Sequence, residues 1–299
     1  MKPHIFDSIA ELHRALKLPK PEHPLVSVIN FEETKCFSEE SLRSVSYGFY
    51  CIALKKNFKG KMKYGQNFYD FDDGVMTFFS PGQVITTAIE PDLKLSGWWL
   101  VVHPEYMRSY PLGKNIKTYG YFSYAVSEAL HLSEKEEVVI ENLMKSIIHE
   151  YRLNIDHFSQ DVIISHIELL LNYCNRFYSR QFITRKTASN DLLVQIDELI
   201  AVYLDNLEKT GLPTVKYLSD QLNVSPGYLT DMLRSLTGQS TQQHIHSKII
   251  EKAKETLATT SLPVSTIAYQ LGFEYPQSFH KLFRNKTNLS PLEFRNSFH

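Results

Sequence analysis

Two stretches in the C-terminal third of the chain repeat one pattern, and this repeat limits the possible folds more than any other feature. Residues 218–224 match residues 267–273 at an offset of 49, and after the turn the match continues at an offset of 50, with Leu229 against Phe279. Each copy has a short apolar-periodic segment, a turn and a second such segment. Because a repeated pattern folds as a repeated unit, the sequence predicts two helix-turn-helix units.

The second copy predicts two short helices, over residues 267–271 and about 276–286, around Gly272. Glycine ends a helix in the left-handed conformation without steric cost. The apolar residues of the second helix fall at helical spacing, and its other face carries Gln277, Ser278, His280, Lys281 and Arg284. Amide and cationic groups on a short second helix suit a DNA major groove. One such unit alone would more simply be a hairpin with a solvated face, but two copies favour DNA binding.

Length and cysteine content indicate an ordinary cytoplasmic protein of two domains. The chain has 299 residues, of which 43% are hydrophobic, and this length is typical of two domains. Its three cysteines are far apart in sequence, which argues against a disulfide framework or a structural zinc. Neither a secretory leader nor an apolar stretch long enough to span a membrane is predicted.

The charge of the chain gives only weak support for DNA binding. The net charge is -1, and residues 211–299 carry nine Lys/Arg against six Asp/Glu, a local charge of +3. Affinity for DNA depends largely on phosphate contacts. We therefore expect backbone amides at helix N-termini, and a second subunit, to supply part of the contact with phosphate.

The N-terminal half predicts many short strands. Between residues 25 and 103, alternating apolar segments are separated by turn signals, a pattern typical of an antiparallel barrel or sandwich. A short amphipathic helix with Phe6, Ile9 and Leu12 on one face is predicted before it. Aromatic residues expected inside the barrel would form an effector pocket or simply fill the interior: Tyr47, Phe49, Tyr64, Phe68 and Phe78.

Two long helices are predicted after the strands. Ser133 with Glu136 has the pattern of a capping box. The next helix, over about residues 159–180, has an apolar seam at spacings of four and three: Ile163, Ile167, Leu170, Cys174 and Phe177. Such a seam predicts dimerisation by a coiled coil, and the alternative is a helix packed on its own barrel. The polar residues 181–190 are interpreted as a linker, with Asn190 as the cap of the following helix.

The repeated C-terminal pattern resembles a known family. Residues 267–273, followed by Ser278-Phe279, Lys281 to Arg284, Ser290-Pro291 and Phe294-Arg295, are similar to the second helix-turn-helix of the AraC/XylS transcription regulators. Residues 221–229 with Thr237-Gly238 resemble the first. One departure is Asn288, where the family usually has Gly. Asn tolerates the left-handed conformation, so we expect the turn to persist.

The resemblance implies which residues face DNA. In this family the second helices of the two copies enter successive major-groove segments about 34 Å apart. The base-facing candidates of the first copy are Gly227, Thr230, Asp231 and Arg234. Those of the second copy are Gln277, Ser278, His280, Lys281 and Arg284. Because the first set has few long donors and includes an acid, we expect the second copy to contribute more of the direct readout. The N-terminal half resembles, more weakly, the cupin-like barrel and helical arm through which such regulators bind effectors and dimerise.

The predicted fold is therefore α+β, with an N-terminal antiparallel β-barrel and helical arm over residues 1–180, a linker over 181–190 and an all-α DNA-binding domain over 191–299. The predicted function is sequence-specific transcription regulation. The expected partners are double-stranded promoter or operator DNA, a small-molecule effector, a second copy of the chain and, for an activator, RNA polymerase. No membrane partner, cofactor, metal or catalytic residue is predicted.

Two alternatives remain open. One is a cupin-type enzyme fused to a DNA-binding domain. It would need clustered metal ligands, but residues 25–102 contain no histidine and His103 stands alone. The other is a regulator without an effector, whose barrel serves only for dimerisation.

Overall fold

The computed structural model describes residues 3–34, 44–56, 61–64, 67–70, 74–86, 96–125, 128–153, 156–184, 186–206 and 211–297, without the side chains of 61–70 and 186–190. The chain forms two compact units, residues 1–181 and 182–299. In the described part of the chain, no helix has the length and apolar character needed to cross a membrane.

The N-terminal unit is built from three sheets. Its strands are β1 (His4–Phe6), β2 (Val26–Asn30), β3 (Ser44–Tyr47), β4 (Tyr50–Lys56), β5 (Lys61–Tyr64), β6 (Asn67–Asp70), β7 (Val75–Phe79), β8 (Val84–Thr86), β9 (Ser96–Val102) and β10 (Leu130–His131). Five strands pair antiparallel in the order β10-β7-β4-β9-β2, three pair in the order β1-β3-β8, and β5 pairs with β6. The coarse α+β prediction is confirmed.

The predicted closed barrel is not found among the described strands. Each of the three sheets they form is open, and β1 pairs with β3 in parallel rather than antiparallel. At Gly48 and Phe49 the chain bends between β3 and β4 and passes from the three-stranded sheet to the five-stranded one. The Gly48 N–H donates to the carbonyl oxygen of Phe6 at 2.8 Å and fixes this bend against β1.

Both faces of the five-stranded sheet are buried. Cys51 and Ala53 of β4 belong to a core cluster with Tyr47 and with Ile9 and Leu12 of helix α1 (Ile9–Ala15). Because side chains alternate along a strand, Ile52 and Leu54 point to the opposite face, where they are also buried. Burial on both faces explains why residues 51–54 of this strand are all apolar.

Helices cover that opposite face. The unit's later helices are α2 (Pro104–Met107), α3 (Pro111–Asn115), α4 (Glu134–Arg152) and α5 (Ser159–Thr184), and of these α4 and α5 contact the sheet. The Cys174 sulfur lies 3.7 Å from the Met76 sulfur of β7, and the Tyr151 hydroxyl of α4 donates to the Val28 carbonyl of β2. The predicted cap of α4 is confirmed, since the Ser133 N–H donates to Glu136 at 2.9 Å.

The apolar seam of α5 faces its own unit. Ile163, Ile167, Leu170, Cys174 and Phe177 are between 0 and 5% exposed within a single chain. A second copy cannot contact these side chains while the unit stays folded. The structure therefore favours the alternative, in which the seam packs on its own domain, over the predicted dimer seam.

We expect Leu170→Ala to lower the free energy of unfolding by about 2–5 kcal/mol, because it leaves a cavity at a fully buried position. The matched control is Val138→Ala on α4, because Val138 is 55% exposed and its truncation should change stability much less. Denaturant unfolding at two protein concentrations measures both. A Leu170→Ala loss that disappears at high protein concentration would instead support the dimer seam.

The C-terminal unit contains seven helices among its described residues. They are α6 (Lys186–Asp205), α7 (Val215–Leu222), α8 (Pro226–Thr237), α9 (Thr241–Thr259), α10 (Val264–Gln270), α11 (Pro276–Thr287) and α12 (Pro291–Asn296). The linking helix α9 buries the predicted residues Ile245, Ile249, Ala253 and Leu257.

The predicted linker is largely helical. Helix α5 continues through Thr184, and α6 already begins at Lys186, so Asn190 lies inside α6 rather than at its cap. Residues 181–190 lack apolar periodicity, but they contain neither Gly nor Pro. Polarity alone therefore gave no reason for a helix to stop.

Left-handed residues end the short helices, as predicted for Gly272 and Asn288. Asn223 follows α7 with φ 54°, Gly238 follows α8 with φ 75°, and Asn288 follows α11 with φ 61°. Gly272 has φ 96°, and a Cβ atom placed there would lie 2.2 Å from the Gly211 carbonyl oxygen. Gly272 is thus required both by its conformation and by a close backbone approach.

We expect Gly272→Ala to destabilise the C-terminal unit by more than the roughly 1–2 kcal/mol that a left-handed alanine costs, since a backbone clash is added. Gly238→Ala is the matched control, because that glycine is also left-handed but has open space around it. Thermal unfolding compares the two variants. Equal losses would show that the contact with Gly211 is unimportant.

Candidate nucleic-acid interface

The second helices of the two copies are built alike. Helices α8 and α11 each have 12 residues, begin with a proline and end at a left-handed residue. Their inward faces are anchored by Leu229 and Leu233 in one copy and by Phe279 and Phe283 in the other, all at 0% exposure. The repeat predicted from the sequence is therefore a structural repeat, and it orients one polar face on each helix outward.

The outward face of α11 is available for binding. Gln277, Ser278, His280, Lys281 and Arg284 are all exposed, as the sequence predicts. Among the described residues, no side-chain hydrogen bond or ion pair is found for Gln277 or Lys281. Hydrogen bonds with Ser290 lower the pKa of Glu293, and the positive charge of Arg284 helps to lower it further. An amide and two cations thus lie on one exposed helical face, where they can donate to phosphates or to base edges.

The corresponding face of α8 is partly engaged within the domain. The Thr230 hydroxyl lies 3.0 Å from that of Thr241, at the start of α9, and Gly227 is half-buried. Arg234 forms an ion pair with Asp231 at 3.5 Å. Of the four predicted candidates, Asp231 and Arg234 are thus the two charged groups, and they have opposite charges and pair with each other.

Two of the three lysines of the linking helix α9 are paired with aspartates. Lys248 contacts Asp197 at 2.9 Å, and Lys252 contacts Asp205 at 3.1 Å. These hydrogen bonds with aspartate raise the pKa of both lysines. Arg295 donates to the carbonyl oxygens of Leu257 and Leu262. Much of the local positive charge is thus used inside the domain, and α11 presents the more accessible cations.

Two residues that the sequence interpretation overlooked lie beside α11. Tyr269 and Tyr275 are each 58% exposed, on α10 and at the N-cap of α11. Tyrosine hydroxyls donate to DNA phosphates in many complexes. Their positions could have been found from the sequence, because Tyr269 falls outside the buried Ile267-Ala268 face of α10.

Comparison with known proteins agrees with this geometry. A family model described as "Helix-turn-helix domain" matches residues 218–297. Regulatory protein SoxS of Escherichia coli (strain K12) is 29% identical over 105 residues, which are 35% of this chain and 90% of SoxS. The arabinose operon regulatory protein of E. coli (strain K12) is 33% identical over 72 residues, 24% of this chain and 25% of that protein.

The C-terminal unit belongs to the AraC/XylS family. Among solved structures, the C-terminal domain of the response regulator yesN from Fusobacterium nucleatum is similar, with 32% identity, a TM-score of 0.31, and coverage of 36% of this chain and 98% of that one. Several curated relatives are matched over less than half of their own length.

The predicted effector residues do not converge on one pocket. Tyr47 and Phe49 lie in the core between the sheets, whereas Phe78 lies on the other face of the five-stranded sheet, 4.4 Å from the Tyr121 ring. A cavity of about 10 Å³ beside Phe78 has room for at most one water. The side chains of Tyr64 and Phe68 lie outside the described residues. For the described three, the structure favours the alternative that aromatics fill the interior.

No metal centre is found in the described part of the chain, where no group of three or more His, Cys, Asp or Glu side chains comes together. His103 accepts a hydrogen bond from the Glu105 N–H at 3.3 Å and caps α2. His103 therefore has a structural role as the N-cap of this helix.

We expect Gln277→Ala and Lys281→Ala each to weaken operator binding by about 1–3 kcal/mol if they pair with bases. Lys252→Ala is the matched control, because its ammonium is already paired with Asp205. Binding isotherms on operator and scrambled duplexes measure the change. Unchanged affinity and selectivity in both α11 variants would remove these residues from the interface.

Proposed function

We propose that the chain is a sequence-specific transcription regulator whose helices α8 and α11 enter successive major-groove segments of double-stranded DNA. The observation that carries this proposal is the structural repeat, in which two 12-residue helices present polar faces from one domain. Such helices contact base edges in other helix-turn-helix proteins. The family assignment of the C-terminal unit supports the same function.

The two recognition helices, α8 and α11, are proposed to contribute unequally. Helix α11 carries Gln277, Lys281 and Arg284 on an exposed face, whereas α8 pairs its arginine with Asp231. We expect α11 to provide more of the base contacts and phosphate charge. Backbone amides at the helix N-termini and a second subunit would supply further contacts with phosphate.

Footprinting with genomic fragments tests the DNA-binding proposal. We expect protection of a specific site that spans two major-groove segments about one helical turn, or about 34 Å, apart. The site's position relative to a promoter would separate an activator, which must also contact RNA polymerase, from a repressor. Binding without sequence preference would contradict the proposal.

The N-terminal unit is proposed to regulate DNA binding, either by sensing a small molecule or by dimerisation alone. A separate β-rich unit, joined to the unit that carries the helix-turn-helix repeat, supports the first. The tight packing of Tyr47, Phe49 and Phe78 supports the second. A thermal-shift screen with sugars and aromatic metabolites distinguishes them, because a ligand bound to the folded unit raises its melting temperature. We propose no enzymatic activity, and a stoichiometric metal in the purified protein would revive that alternative.

Dimerisation is proposed to use the outward face of α5. Val162 and Leu169 are one heptad apart, 37% and 45% exposed, and fit a second copy of the same helix. Acidic Asp161 and Glu168 lie N-terminal to basic Arg176 on this helix. This order favours an antiparallel pair, in which the acidic half of one helix meets the basic half of the other.

We expect Leu169→Asp to shift the protein from dimer to monomer in sedimentation experiments, because a charge would be buried in the contact. Val138→Asp is the control, since Val138 is an apolar residue on α4 that is 55% exposed. If both variants stay dimeric, the outward face of α5 is not the interface.

A further inference from the structure

We propose that Asp231 and Arg234 act as one recognition unit that selects a G·C base pair in the DNA segment contacted by α8. The proposal rests on the proposed DNA-binding function. The two residues lie one helical turn apart on the outward face of α8, with 34% and 61% of their side chains exposed. Arg234 Nη1 lies 3.5 Å from Asp231 Oδ1. A cation and an acid are therefore presented to the DNA side by side.

The chemistry of this pair matches one base-pair edge. In the major groove, a G·C pair offers two acceptors, guanine N7 and O6, next to one donor, the cytosine amino group. The Arg234 guanidinium donates to guanine with two of its five N–H groups and keeps others for Asp231. The Asp231 carboxylate then accepts from the neighbouring cytosine amino group. The protein's donors on Arg234 thus face the two acceptors of guanine, and its acceptor on Asp231 faces the donor of cytosine.

An A·T pair does not fit the same arrangement. Its edge presents the adenine N7 acceptor, the adenine amino donor and the thymine O4 acceptor. The guanidinium would then face an amino donor, and the Asp231 carboxylate would face the thymine oxygen. Both mismatches leave polar groups unpaired in a desolvated contact, and this penalty is the source of discrimination.

The carboxylate of Asp231 is the unusual group on this face. A carboxylate on a DNA-facing helix is repelled by phosphates and weakens binding unless it accepts a hydrogen bond from a base. An exposed ion pair is weak, so Arg234 is readily shared between Asp231 and guanine. Asp231 also limits the directions that the Arg234 side chain takes, and this orients its planar fork toward one base pair.

Selection of binding sites from randomised duplexes tests the proposal. The variants are Asp231→Asn, which keeps the size but adds a donor, and Arg234→Lys, which keeps the charge but removes the fork. Asp220→Asn on α7 is the matched control, since it removes one exposed acid without altering α8. Lys281→Ala reports separately on the segment contacted by α11.

The expected result is one position at which the wild-type protein and Asp220→Asn prefer G·C by about 5- to 150-fold, the discrimination expected for a well-formed contact with a base. Asp231→Asn and Arg234→Lys should lose the preference at that position only, and Lys281→Ala should retain it. If Asp231→Asn raises affinity for all duplexes equally and keeps every base preference, Asp231 only opposes phosphate. The inference then fails while the proposed function stands. If the wild-type protein selects no sequence, both fail.

Discussion

The positions of all the DNA-facing groups depend on apolar residues buried on the other side of the same helices. Leu229 and Leu233 hold α8, and Phe279 and Phe283 hold α11, at positions closed to solvent. On a helix, residues three and four apart share a face. Once these anchors are buried, the directions of Arg234 and Lys281 follow from geometry. The polar chemistry of the interface is therefore determined by hydrophobic packing.

Helices α8 and α11 have similar backbones, but they differ in the charged groups that they present to solvent. The copies share their length, their proline start and their left-handed end. They differ in how their cationic side chains are placed. Helix α8 pairs Arg234 with Asp231, whereas Lys281 and Arg284 of α11 are exposed to solvent. Because Lys248 and Lys252 are held by aspartates of α6, the linking helix adds little accessible charge. A modest net charge of the domain thus conceals an uneven distribution over its surface.

The sequence predicted the C-terminal unit well because its signals are local. Helical spacing located the buried face of α9, and Asn288 adopts the left-handed conformation expected of a short polar residue there. The partners of Thr230 and Lys248 could not be predicted, because Thr241 and Asp197 are brought to them by the packing of other helices.

The N-terminal unit was harder to predict, because its fold depends on contacts between residues that are far apart in the sequence. Strand alternation identified β4, but it did not reveal that β3 and β4 join different sheets across the bend at Gly48. The spacing of Ile163, Ile167 and Leu170 is equally suitable for a coiled coil and for a helix lying on a sheet. Burial against the chain's own residues decides between them, and it depends on tertiary contacts that periodicity does not encode.

The close approach of Gly272 to the Gly211 carbonyl has a consequence for how this domain can change. Gly272 belongs to the turn of the second copy, and Gly211 lies just before α7 of the first. Any side chain at position 272 would have to push away the backbone that leads into the other copy. The two copies are therefore not interchangeable modules. A larger residue in the turn of the second copy is tolerated only if the backbone at Gly211, before the first copy, also takes a different course.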